Sequence, residues 1–202
     1  MQKFYLSKSS LTVLNTLKSL KEKGLIKDIQ NLSAQNARIE FSKIRAHFSY
    51  KKKIDVLIKK DFKIENIPVR YYRGKNKSKN EVLPIMIYFH GGGWVLGNVD
   101  THDQVCSILV SKGKYDLISV DYSLAPEAIF PKAINESKSI LKSISKNKYG
   151  LKINNNKIIL CGDSAGGNIA AVLADYNKNN LKANIIFQVL VYPATHMFSN
   201  YE

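Results

Sequence analysis

Gly162-Asp163-Ser164-Ala165-Gly166-Gly167 sets a serine between two glycines, each two residues away. A serine attacks a carbonyl best when its hydroxyl stands exposed on a sharp, strained turn, and such a turn leaves almost no room for side chains at those flanking positions. The bare pattern is weak, since a chain with this Gly and Ser content shows it by chance roughly one time in twenty. Its setting strengthens it. The apolar run Ile158–Cys161 precedes it, and the small residues Ile169, Ala170, Ala171 and Ala174 follow at helical spacing. On that geometry the Ala165 N–H, at a helix N-terminus, points toward any oxyanion formed on Ser164. A nucleotide-binding reading of the same glycines fails, because no Lys-Ser/Thr follows and no G-x-G-x-x-G is present.

The second chemistry-bearing stretch is His90-Gly91-Gly92-Gly93-Trp94, at the end of the apolar run 84–90. Three consecutive glycines leave backbone N–H groups unshielded and open conformations closed to other residues. One reading is a tight turn. The other is a loop of oxyanion donors facing the serine from a neighbouring strand end.

These stretches need elements to position them. Strand-like runs at 84–90, 115–121, 157–162 and 184–192 alternate with helical patterns near 101–113, 131–146 and 164–179. The runs are apolar almost throughout, as in strands covered by helices on both faces, so an α/β fold with a mostly parallel sheet and right-handed crossovers is expected. Ligands in such sheets lie beyond the carboxyl ends of the strands. Before residue 55 the spacing is helical (Leu11, Leu14, Leu17, Leu20; Ile39, Phe41, Ile44, Phe48), with Gly24 as a break. Phe62 to Tyr71 reads as a pair of short extended segments, with Pro68 at a bulge or edge.

Composition narrows the function classes. The formal charge of +15 suggests a nucleic-acid footprint, yet 27 of the 31 basic residues are Lys and only four (Arg38, Arg45, Arg70, Arg73) are the Arg that bidentate phosphate and base recognition favours. With 18 Asn and many Ile, the bias is that of an AT-rich coding sequence. The cluster Lys51-Lys52-Lys53 with Lys59-Lys60 reads as a solvated face, so no nucleic-acid partner is expected. No apolar run reaches the roughly 18–20 residues of a membrane span, and the basic start lacks the apolar segment of a secretory signal. Cys106 and Cys161 have no metal-ligand spacing, which fits a reducing cytoplasm.

The sequence resembles the hormone-sensitive-lipase-like (GDXG) branch of the α/β-hydrolases, esterases marked by an HGGG loop and a GDSAGG elbow. Further matches run in the family's order: Ile67 to Arg73, Gly97, Thr101-His102-Asp103, Asp121 to Glu127, Phe130-Pro131 and Tyr192-Pro193. Ser123 departs from the usual arginine of its segment, and Gly74 from a common proline. The resemblance covers residue 60 onward and implies an N-terminal helical cap segment (1–55) before a partial hydrolase domain (56–202). It makes Ser164 the nucleophile, Gly92, Gly93 and Ala165 the oxyanion-hole donors, and His90 and Gly91 supports of the loop. It implies an acyl-enzyme reaction on small carboxylic esters, with no metal and no cofactor, and Trp94 and the N-terminal helices lining the pocket.

An orienting acid and a histidine base are needed to activate the serine. After Ser164 the chain offers only Asp175, Glu202 and His196. Asp175 lies eleven residues on, about 16 Å along the helix, and His196 is not at the family's histidine position. His47 and His102 read as surface or capping residues. The expectation is a hydrolase truncated at its C-terminus, lacking its last strands and impaired, with 184–192 as an apolar edge open to self-association or to a complementing C-terminal chain. The alternative is a non-catalytic remnant or interaction protein that keeps the pocket.

Overall fold

The computed structural model describes residues 6–195. By contact density the chain divides into two units, Met1–Phe48 and Ser49–Glu202.

The first unit holds helices α1 (Lys8–Glu22) and α2 (Ala34–His47). Ser7 and Ser33 cap them, their side chains accepting the N–H of Ser10 and Asn36. Gly24, at φ +66°, follows α1 in the left-handed conformation that ends many helices. The apolar spacing formed helices, yet among the described residues of this unit the buried hydrophobics are Leu20, Ile26 and Ala37 alone, and Leu11, Leu14 and Ile39 are exposed.

The second unit carries a six-stranded sheet in the order β1-β2-β4-β3-β5-β6. Strands β1 (Val56–Ile64) and β2 (Ile67–Gly74) form an antiparallel hairpin, and β2 runs antiparallel to β4 (Asp116–Val120). Strands β3 (Leu83–Phe89), β5 (Ile153–Asp163) and β6 (Ile185–Val191) continue in parallel with β4. The hairpin turn is Glu65-Asn66, both at positive φ (51° and 64°), which matches the right-handed twist of the flanking strands. Pro68 is at neither an edge nor a bulge: it lies at the start of the interior strand β2, opposite Lys63, and its carbonyl accepts the Asp121 N–H.

Alternation along β3 divides the core. Ile85, Ile87 and Phe89 face α4 (Lys132–Ser145) and α5 (Ala165–Asn180), meeting Ile140, Leu141, Ile144, Ile169 and Leu173. Met86 and Tyr88 face α3 (Asp103–Lys112), meeting Cys106 and Val110. With helices covering both faces, β3 and β4 are buried almost end to end, which explains the unbroken apolar sequence of β3, while β4 also buries Asp116 and Ser119. Strand β6 differs: most of its residues are exposed. Arg73 and Asp116 form a fully buried ion pair, and Arg73 also binds the Ser78 and Lys79 carbonyls, fixing the lysine-rich loop after β2.

Candidate active site

Ser164 stands between β5 and α5 at φ 52°, ψ −117°, a conformation costly for a side chain-bearing residue. The chain around it is over-determined. Ser164 N–H donates to the Val191 carbonyl at 2.9 Å, and its own carbonyl accepts from Asn168 and Ala194 at 3.0 Å each. The flanking glycines are sterically required: a Cβ on Gly162 would sit 2.4 Å from the Gly166 backbone, and one on Gly166 would sit 1.9 Å from the Phe89 carbonyl oxygen. Gly166 is therefore a point of close helix–sheet approach. Gly167 packs less tightly, against Pro193 and the Gly162 carbonyl.

The glycine loop leaves β3 beside this turn, since Phe89 and Gly162 are register partners in adjacent strands. Gly92 has φ 132° and Gly93 φ 60°, both in the region glycine favours. Gly92 O accepts from Val95 and Leu96, closing a turn, and the Trp94 carbonyl accepts from Ala125. Among the described residues, neither Gly92 N–H nor Gly93 N–H donates to a backbone carbonyl. A Cβ on Gly93 would meet nothing within 4 Å, so that position faces open space.

His90 is fully buried and stacks on Tyr122 at 4.3 Å and on His102 at 5.4 Å between ring centroids. Its Nδ1 lies 3.0 Å from the Gly91 carbonyl oxygen, and Tyr122 donates its hydroxyl to the His90 carbonyl at 2.6 Å. Burial drives the imidazole pKa down to about 4, against a smaller opposing effect of the Gly91 contact, so the ring is neutral at neutral pH. The ring is packed within the loop's base, against Tyr122 and His102.

Asp163 and His102 were not picked out by motif reasoning. His102 occupies the N-cap position of α3, but it is buried rather than on the surface, and its Nε2 reaches within 3.5 Å of Asp163 Oδ2. Asp163 Oδ1 accepts from the Tyr88 hydroxyl at 2.6 Å and from Gly91 N–H at 2.9 Å. Burial alone pushes the carboxyl up; the His102 ring, the Tyr88 hydroxyl and the Gly91 N–H outweigh it and hold the pKa at about 2. No sequence rule pairs an elbow residue with a histidine 61 positions earlier; only the parallel order of β3 and β5 brings them together.

Beside the loop lies a cavity of about 780 Å³ lined by Gly93, Trp94, Phe130, Ile134, Asn168 and Val172, among others. Ser123, in place of the expected arginine, is absorbed locally: its N–H and hydroxyl both donate to Glu136. His47 and Asp175 are exposed. His196 and Glu202 lie outside the described residues.

A family model described as the alpha/beta hydrolase fold matches residues 86–202. The chain belongs to that family. Its HGGG loop and GDSAGG elbow place it in the hormone-sensitive-lipase-like branch. Among curated proteins it is 40% identical over 132 residues to the carboxylesterase NlhH of Mycobacterium tuberculosis, covering 65% of this chain and 41% of that protein. It is 33% identical over 169 residues to a putative alpha/beta hydrolase, R526, of Acanthamoeba polyphaga mimivirus, covering 83% and 47%. The chain thus spans less than half the length of these curated relatives. Among solved structures, the hyperthermophilic esterase of Pyrobaculum calidifontis superposes with a TM-score of 0.84 at 34% identity, covering 95% of this chain and 60% of that one. The ester-hydrolase EH1AB1 from the Lake Arreo metagenome does so at 0.87 and 29% identity, covering 96% and 62%.

Proposed function

We propose that the chain carries the nucleophile half of a carboxylic ester hydrolase acting through a serine acyl-enzyme. The observation that carries this reading is Ser164 held at φ 52° between Gly162 and Gly166, next to a glycine loop whose Gly92 and Gly93 N–H groups donate to no backbone carbonyl among the described residues. In the proposed reaction Ser164 Oγ adds to the ester carbonyl as its proton passes to a base. The carbonyl π electrons move onto oxygen, and the N–H groups of Gly92, Gly93 and Ala165 stabilise that charge. Reformation of the carbonyl expels the alcohol, which takes up the proton, and water then hydrolyses the acyl-enzyme to acid and free serine. The donors act where charge develops, and the α5 N-terminus adds its dipole. An apolar part of a small ester substrate fits the cavity beside Gly93 and Trp94.

The same reading makes the 202-residue chain slow when taken by itself. Among the described residues, His90 is buried in its loop, His102 faces Asp163 and His47 is exposed, so none of them is hydrogen-bonded to Ser164. Without a base and acid on Ser164 the rate would fall by several orders of magnitude while oxyanion stabilisation would remain. Self-association or a complementing C-terminal chain would use the exposed β6. Both cysteines are free and buried, which supports a reducing compartment such as the cytoplasm.

Labelling with a fluorophosphonate, alongside hydrolysis of a short-chain aryl ester, tests the assignment. Slow labelling confined to Ser164, and abolished in Ser164→Ala, is expected. A folded sample whose Ser164 never reacts overturns it and leaves a protein that retains the pocket without turnover.

A further inference from the structure

A loop with three consecutive glycines is loose unless something outside it holds it, because glycine gives up the most backbone freedom on ordering. The Gly92–Gly93 stretch is tied on one side by its own turn and by the Trp94 carbonyl to Ala125 N–H. On the other side the restraint is a side chain. Asp163 Oδ1 takes the Gly91 N–H at 2.9 Å, while the Tyr88 hydroxyl at 2.6 Å and His102 Nε2 at 3.5 Å hold the carboxylate itself. These three groups come from β3, from the loop after it and from the start of α3, and they converge on the residue directly before Ser164.

The fit is close. A Cβ on Gly91 would lie 2.3 Å from Asp163 Oδ2, so no residue but glycine lets the loop approach this carboxylate. The Asp163 side chain is only 14% exposed. A carboxylate so buried is costly to stability, and bulk packing alone would be served as well by an apolar residue. What an apolar residue cannot do is accept the Gly91 N–H.

We propose that Asp163 is a positioning residue, which fixes Gly91 and thereby aims the Gly92 and Gly93 N–H groups at the acyl oxygen on Ser164, with Tyr88 and His102 orienting its carboxylate. Its catalytic consequence rests on the ester-hydrolase reading; the restraint on the loop does not. Because Asp163 and Ser164 are neighbours on one turn, nucleophile and oxyanion donors are then set by a single backbone element, and an error in one is shared by the other.

Backbone hydrogen exchange of residues 90–97 in the full chain tests the restraint without any need for turnover. Asp163→Ala is expected to speed exchange at Gly91 to Gly93 about 100-fold while β5 and α5 exchange as before. Asp163→Asn, which keeps an oxygen in the Oδ1 place, is expected to stay within about tenfold of wild type. Exchange in Asp163→Ala equal to wild type overturns the proposal, as does Asp163→Asn loosening the loop as much as alanine. Where Asp163→Ala does not fold, Tyr88→Phe removes one orienting donor and is expected to speed loop exchange several-fold; no change there overturns it too. Fluorophosphonate labelling separates this from the functional reading. The positioning role requires Asp163→Ala to slow the bond-forming step about 10–100-fold with reagent affinity little changed. An unreactive wild-type Ser164 with a loop that still responds to Asp163→Ala sinks the hydrolase reading alone and leaves the restraint standing.

Discussion

His90, buried, and Asp163, partly buried, belong to one cluster and respond to acid in the same direction. His90 has its pKa depressed from 6.5 to about 4 by burial, so between these values the unfolded chain binds a proton that the folded chain refuses. Stability from this residue is therefore full above pH 6.5 and is lost as pH falls toward 4, on the order of 3 kcal/mol in all. Asp163, lowered from 3.8 to about 2, adds a further loss beginning only below about pH 4. A urea midpoint that declines from pH 6.5 downward, with the His90 ring remaining neutral by NMR until about pH 4, is the expected result. A midpoint flat between pH 6.5 and 5 refutes it. The proposed nucleophile carries the other residue-scale cost. At φ 52°, Ser164 pays strain that glycine does not, so Ser164→Gly is expected to raise stability by about 1 kcal/mol in denaturant titrations while abolishing labelling. Serine and its glycines were legible in the sequence because their steric demands act over two residues. Asp163 and His102 were not, because their meaning arises from contact between distant segments.

The turn between β5 and α5 works only because α5 comes in against β3. Gly166 permits that approach, its missing Cβ lying where the Phe89 carbonyl oxygen would be 1.9 Å away, and neither backbone can yield without shifting a central element. Gly166→Ala is expected to cost about 3 kcal/mol or more in chemical denaturation, or to prevent folding. Gly93→Ala is the contrasting case. Its Cβ meets open space, so the cost is the left-handed φ of 60° alone, about 1 kcal/mol. Equal losses at the two positions refute the packing argument. Element boundaries follow the same distinction between local and distant causes. The buried strands β3 and β4 and helices α3 to α5 were legible to within a few residues, since burial on both sides writes itself as an apolar run. Strand β5 begins at Ile153, earlier than its apolar run, because Asn154 pairs with Pro84 across an irregular register. The strand-like run at 157–162 left out the three asparagines before it. Pro68 likewise read as a bulge or edge, although the sheet order places its strand inside and its pairing with Lys63 is regular.

Across the whole chain, the charge and the sheet's open side act in opposite senses. A net charge of +15 keeps molecules apart through like-charge repulsion, most strongly at low salt. Strand β6 invites contact. It is the last strand in the described sheet, reads Ile-Ile-Phe-Gln-Val-Leu-Val with no charge and no proline, and exposes Phe187 to 63% and Ile186 to 46%. Edge strands in stable monomers are usually blunted by lysine, proline or a bulge, and although lysine makes up most of the basic residues in this chain, none falls within this strand. Concentration-dependent association is therefore expected, stronger at high salt where the repulsion is screened. Sedimentation velocity over about 5–200 μM, at low and at physiological salt, measures it. Phe187→Lys places a charge on the exposed edge at little folding cost and is expected to restore a monomer over that range. Phe130, 85% exposed beside the cavity, is the control: if Phe130→Lys disperses the chain as well as Phe187→Lys does, general stickiness and not strand pairing is the cause. A wild-type chain that sediments as a monomer at every concentration and salt removes β6 as an association surface.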